Sequence, residues 1–263
     1  MIRRLLTPLA MTSLVFASFA LAQTPPTPLK GYLGEADRPK TERVLPPPPP
    51  AGSGRLAEDQ AVFARTRDLA GGPRWSLATT DADMNIRASM FSCAVGAPLD
   101  ATDAPTLQRL FARSTRDAVA VVDAPKDQFD RPRPYVAAGG GPAICVPKTD
   151  SLAKSASYPS GHSTLSWAWG LILAEIVPDR ATEILLRARE IGDSRIICGV
   201  HYLSDVEEGR TNGSMLVAAL HASPEFKADL EKARAEIAAA RAAPHASPAG
   251  CAAIEAAEAH PPY

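Results

Sequence analysis

The chain has 263 residues, 46% of them apolar and 22% charged, with 28 basic against 29 acidic side chains. That size and composition predict one medium-sized globular domain able to bury a real core. A formal charge of −1 argues against nucleic acid as the main partner.

The first 22 residues read as a targeting segment. Met1-Ile2-Arg3-Arg4 is a basic start, residues 5–19 are apolar, and Ala20-Leu21-Ala22 gives a small-x-small cleavage site before Gln23. This predicts a secretory signal peptide over 1–22 and a periplasmic mature protein. The apolar stretch is short and no stop-transfer pattern follows, so no membrane anchor is expected. Losing Arg3 and Arg4 leaves 26 basic against 29 acidic side chains, a net of −3. In an oxidising compartment Cys93, Cys145, Cys198 and Cys251 are expected to pair, in any of three connectivities. A buried free thiol at Cys198 is the alternative. No CxxC occurs, so zinc is not expected.

Residues 23–54 form a proline-rich arm whose run Pro46-Pro47-Pro48-Pro49-Pro50 is extended polyproline, either a spacer or a strap across the domain. From 55 to 243 the pattern is helical. Apolar positions predict a helix over 56–69, a broken helical region over 75–93, and a helix over about 105–122 capped by Asp103, with Leu107, Leu110, Phe111 and Val119 as its stripe. Residues 124–157, rich in Pro and Gly, read as loop. Helices follow over 163–177, 181–191, 204–221 and 224–243. Strand signals are few, and the fold class expected is an all-α, single-domain helical bundle. The tail 244–263 reads as loose, with Cys251 available to pin it.

Three clusters carry chemistry. Lys126-Asp127-Gln128-Phe129-Asp130-Arg131-Pro132-Arg133-Pro134 presents three cations on a proline-stiffened segment, and the arginine fork suits the oxygens of a phosphate. Ser157-Tyr158-Pro159-Ser160-Gly161-His162 precedes an apolar run. Serine caps a helix, glycine admits a close ligand, and free N–H groups at a helix start attract anions. In Ser194-Arg195-Ile196-Ile197-Cys198-Gly199-Val200-His201-Tyr202-Leu203-Ser204-Asp205, the carboxylate lies four residues after the imidazole. At that spacing Asp205 can orient the ring and select its tautomer. His221, His245 and His260 have no ligand-like partner at useful spacing.

Lys-x6-Arg-Pro, Pro-Ser-Gly-His and Ser-Arg-x5-His-x3-Asp occur complete and in order. Together they resemble the tripartite signature of type-2 phosphatidic acid phosphatases, bacterial class A non-specific acid phosphatases and vanadium haloperoxidases. The leader, the proline run before a helix and the SYPSGH stretch resemble the class A acid phosphatases in particular, over about residues 40–240. Ser163 stands where threonine is frequent and Tyr202 where tryptophan is frequent, which bears on substrate preference. The resemblance implies an all-α bundle with a central phosphate site and a metal-independent acid phosphatase of broad specificity. It requires no cofactor and acts on small phosphate monoesters. Lys126, Arg133 and Arg195 would hold the phosphoryl oxygens with the backbone of Ser160 and Gly161. His201 would attack phosphorus, Asp205 would hold its ring, and His162 would protonate the leaving oxygen. Phosphotransfer, nucleotide or diphosphate hydrolysis, and a homo-oligomer stay open under the same resemblance.

A vanadate-dependent haloperoxidase is the nearest alternative, though those enzymes are generally much longer. A membrane lipid phosphatase fits less well, because the apolar run 167–177 contains Glu175 and is too short to span. A periplasmic phosphate-binding protein without turnover is the alternative from another class, and the full set of catalytic residue types argues against it.

Overall fold

The computed structural model describes residues 29–83, 88–100, 102–244, 247–259 and 261–263. The predicted signal peptide, the start of the arm, His245 and His260 lie outside the described residues. Among those described there are eleven α-helices and no strand: α1 (Gly54–Thr66), α2 (Pro73–Thr80), α3 (Ser92–Val95), α4 (Pro105–Phe129), α5 (Pro134–Ala137), α6 (Asp150–Lys154), α7 (Gly161–Ile176), α8 (Ala181–Ile197), α9 (Leu203–Leu220), α10 (Pro224–Ala242) and α11 (Cys251–Glu258). The all-α reading holds.

Local chemistry sets most boundaries. Ser53, Thr149, Ser160 and Ser223 cap α1, α6, α7 and α10 by accepting a hydrogen bond from the free N–H of the first turn. Proline opens α2, α4, α5 and α10, where its missing N–H costs nothing. Asp103 does not cap α4. The N–H groups of Thr106 and Leu107 instead donate to the Glu236 carboxylate on α10, 2.8 and 3.2 Å away, so a tertiary contact supplies the anion a local cap would give.

α7 is the central helix and packs against α4, α8, α9 and α10. It is apolar on most sides, as a helix enclosed by others must be. Its Trp169 stacks on Phe111 of α4 at 4.9 Å between centroids. Leu107, Leu110 and Phe111 are fully buried as the stripe predicts, but Val119 is 49% exposed and Ala118, Val121 and Val122 face inward instead. α4 also runs a turn past Pro125 and ends at Asp130, which takes a left-handed φ of 39°. Burial of Val121, Val122 and Pro125 carries the helix through a residue that would otherwise break it. Lys126 therefore sits on a helix, not in a loop. α8 likewise continues to Ile197, six residues past its expected end, and places Arg195 on the helix. Residues 190–206 are buried without interruption.

The arm is a strap. The Tyr32 and Leu33 amides donate to Asp117 of α4 at 2.7 and 3.1 Å, and the Tyr32 hydroxyl donates to Asp229 of α10 at 2.8 Å. Thr41 donates to the Val121 carbonyl oxygen at 2.8 Å. The tail, expected to be loose, contains α11 and is held by the Cys93–Cys251 disulfide. Its last residue, Tyr263, donates from its hydroxyl to Asp193 of α8 at 2.9 Å. Cys145 and Cys198 form the second disulfide. No helix among the described residues is long and apolar enough to cross a membrane.

Candidate active site

The three sequence clusters converge on one buried point where α4, α7, α8 and α9 meet. His201 lies between α8 and α9. At the end of α8 the Ile196 carbonyl oxygen accepts from the Gly199 N–H at 2.9 Å, and Arg67 Nη2 donates to Ile196 O at 2.9 Å and Ile197 O at 2.5 Å. The chain then turns through Gly199 at φ 80°, where a Cβ would collide with the Arg67 guanidinium. The Cys145–Cys198 disulfide and a Cys145 N–H to Cys198 carbonyl bond of 3.1 Å pin the same turn. His201 follows, 3% exposed.

One contact fixes its tautomer. Arg133 Nη1 lies 3.2 Å from His201 Nε2. A guanidinium can only donate, so Nε2 carries the lone pair and Nδ1 the proton. Nδ1 lies 3.4 Å from Asp205 Oδ2 without a hydrogen bond to it, a gap that can close when substrate is bound. Burial first, then Arg133, Lys126 and Arg195, hold the His201 pKa well below the ordinary histidine value. The ring is a neutral base with its Nε2 lone pair among cations.

Those cations differ in how far they are committed. Arg133 is anchored by donating from Nε to Leu152 O at 2.9 Å and from Nη1 to Val200 O at 2.9 Å. Lys126 donates to the Ala156 carbonyl oxygen; burial, then Arg133, lower its pKa to about 8. Arg195 is 4% exposed, and its buried Nε and Nη1 have no hydrogen-bond partner among the described residues. Burial and Arg133 lower its pKa to about 10, so it stays charged. A buried guanidinium with unpaired N–H groups is costly unless an anion completes it.

Ser160 and Gly161 open α7. The Ser160 N–H donates to the Asp205 carbonyl oxygen at 2.9 Å. Its amide is therefore spent on holding the α7 start against α9, which narrows the predicted backbone cradle to the N–H groups that follow. His162 is partly exposed, and its Nε2–H donates to the Ala82 carbonyl oxygen at 3.3 Å. Close packing on its other sides, then Arg195, push its pKa well below the usual value. His221 stands apart, paired with Glu175 at 3.1 Å on the surface.

Sequence reasoning missed Asp59 and gave Arg131 no role. Asp59, on α1, is fully buried and binds both Arg131 and Ser204. Nothing in its exposed-looking neighbourhood, Glu58-Asp59-Gln60, marks it.

The arrangement can seat a tetrahedral oxyanion on Arg195, Arg133 and Lys126 with an unprotonated ring nitrogen beside it. Comparison with known proteins identifies the family. The PAP2 superfamily model matches residues 111–228. An acid phosphatase of Zymomonas mobilis is 42% identical over 186 residues, covering 70% of each chain. A non-specific acid phosphatase of Providencia stuartii is 40% identical over 200 residues, covering 74% of this chain and 80% of its own. One of Salmonella typhimurium is 32% identical over 218 residues, covering 81% and 85%.

Proposed function

The chain belongs to the PAP2 superfamily, among its acid phosphatases, and from that premise we propose that it hydrolyses small phosphate monoesters through a phosphohistidine on His201. The observation that carries the reading is the pairing of a proton-free Nε2 on His201 with a buried, unpartnered guanidinium on Arg195.

In the first step the Nε2 lone pair attacks phosphorus, the ester P–O bond breaks, and His162 gives its proton to the leaving oxygen. In the second step His162 takes a proton from water, the oxygen attacks phosphorus, and the P–N bond breaks. Asp205 stabilises the positive charge that the ring acquires when phosphorylated. Lys126, Arg133 and Arg195 neutralise the equatorial oxygens, which is what phosphoryl transfer most requires of a protein. Three cations supply the charge a metal supplies elsewhere, and the reaction proceeds without one. The basic, apolar leader and the two disulfides support maturation at Gln23 in the periplasm.

The test is p-nitrophenyl phosphate hydrolysis by the mature protein at about pH 5–6, in EDTA, with and without vanadate. Turnover should persist in EDTA and fall with vanadate, which takes the geometry of the transferring phosphoryl group. His201→Ala should lose more than about 10³-fold in kcat. Near-normal turnover by that variant removes the nucleophile assignment, and turnover abolished by EDTA removes metal independence.

A further inference from the structure

Two arginines of the Arg131-Pro132-Arg133 segment point in different directions. Arg133 faces His201 and the site. Arg131 turns away from it and is spent on two carboxylates: Nη1 bonds Asp205 Oδ1 at 2.6 Å, and Nη2 bonds Asp59 Oδ2 at 2.8 Å. Nη1 also donates to Ser204 Oγ at 2.8 Å, and Ser204 in turn donates from Oγ to Asp59 at 2.5 Å and from its N–H to Asp59 Oδ1 at 2.9 Å. The guanidinium carbon lies over the Tyr202 ring, 4.1 Å from its centroid. The group is 7% exposed and both carboxylates are fully buried. A fork committed at both ends cannot serve as a phosphate ligand.

We propose that Arg131, held by Asp59, is the positioning residue for the nucleophile: it keeps the Asp205 carboxylate ionised and fixed behind His201 at acidic pH. The proposal rests on the phosphohistidine reading above.

The argument is electrostatic. Burial pushes the Asp205 carboxyl above its ordinary range, and the Arg131 charge, followed by the Tyr202 N–H donating to Oδ2 at 2.8 Å, pulls it back toward ionisation. If Asp205 took a proton, it would turn from acceptor to donor toward Nδ1. The ring proton would then move to Nε2, and the lone pair that attacks phosphorus would be lost. An enzyme working below neutrality must prevent this. The charged or titratable groups facing Asp205 are Arg131, Asp59, Lys126, Arg133, His201 and the Tyr158 and Tyr202 hydroxyls. The tyrosines and His201 are neutral at acidic pH, and Asp59 is itself negative. Lys126 and Arg133 are the cations that a bound phosphate engages. Arg131 remains as the charge dedicated to Asp205. Burial opposes its charge, but the Asp205 and Asp59 carboxylates outweigh that and raise its pKa above the usual arginine value.

Arg131→Lys and Asp59→Asn test this, because each keeps a polar group of similar reach while breaking the two-ended fork. In Arg131→Lys, kcat at pH 5 should fall about 10–100-fold, the size usual for a group that orients a ligand or base. KM and inhibition by inorganic phosphate should stay within about twofold. The acid limb of kcat should move toward neutral pH, and Asp59→Asn should move it the same way by less. Guanidinium chloride should restore part of the kcat of Arg131→Ala where an equal concentration of sodium chloride does not. A merely structural role would lower Tm and the active fraction and leave the acid limb in place. Folded Arg131→Lys with a wild-type kcat and acid limb overturns the proposal, as does an equal loss of kcat and phosphate affinity, which would make Arg131 a ligand. Wild-type protein quenched in base during turnover of a ³²P-labelled monoester should carry acid-labile label on His201. Absence of that label overturns the phosphohistidine reading and the proposal together. Its presence beside an unaffected Arg131→Lys overturns the proposal alone.

Discussion

His162 stands as a neutral imidazole, because packing and then the Arg195 and Arg133 charges hold its pKa well below 6.5. A general acid must nevertheless start protonated. The two facts are reconciled by the substrate. A bound phosphate brings negative charge beside the ring and offsets the arginines, so the pKa of His162 rises on binding. Between its free and bound values the complex holds more protons than its parts. Phosphate binding should take up a proton at acidic pH, and affinity should strengthen as pH falls from the bound toward the free pKa of His162. Calorimetric titration in two buffers of different ionisation enthalpy checks this. Uptake should disappear in His162→Gln; the same uptake in that variant would assign the proton to another group.

At the scale of elements, the site depends on how closely α9 lies against α7. A Cβ on Gly209 would stand 2.7 Å from the Ser160 carbonyl oxygen and 2.7 Å from Ser163 Cβ. Those neighbours are backbone and buried core, which cannot move aside cheaply. Gly209→Ala should therefore cost about 1–3 kcal/mol of stability and lower kcat, because the same contact carries the Ser160 N–H to Asp205 bond. Denaturant unfolding and steady-state kinetics on one preparation measure both. A destabilised variant with unchanged kcat would separate packing from site geometry. The helices themselves were legible because their stripes and serine caps are local signals. So were Lys126, Arg133, His162, Arg195, His201 and Asp205, whose spacings lie within short segments. The extension of α4 past Pro125, its cap by Glu236, the tail helix and the place of Asp59 were not. Each is fixed by a partner far along the chain, which no periodicity reports.

For the whole molecule, the two disulfides do different work. Cys93–Cys251 joins the α3 region to the tail across 158 residues. Cys145–Cys198 closes 53 residues and ends three residues before His201. Removing the second pair, as Cys145→Ser with Cys198→Ser, should cost about 2–4 kcal/mol and reduce kcat. Removing the first, as Cys93→Ser with Cys251→Ser, should lower Tm with kcat nearly intact. Thermal melts and kinetics of the two double variants distinguish the pairs, and an unchanged kcat without Cys145–Cys198 would show that the turn at Gly199 holds without its sulfur link.

The uninterrupted burial of residues 190–206 bears on how such a chain can change over generations. The anchor Arg195, the bridged Cys198, the turn at Gly199, the nucleophile His201 and its partner Asp205 share one segment with no solvent-facing position at which drift is free. Substitutions there are filtered by packing before chemistry is ever assayed. Descendants of this protein would thus inherit the segment whole or lose it whole, and variation in substrate would accumulate in the arm, the tail and the exposed loops.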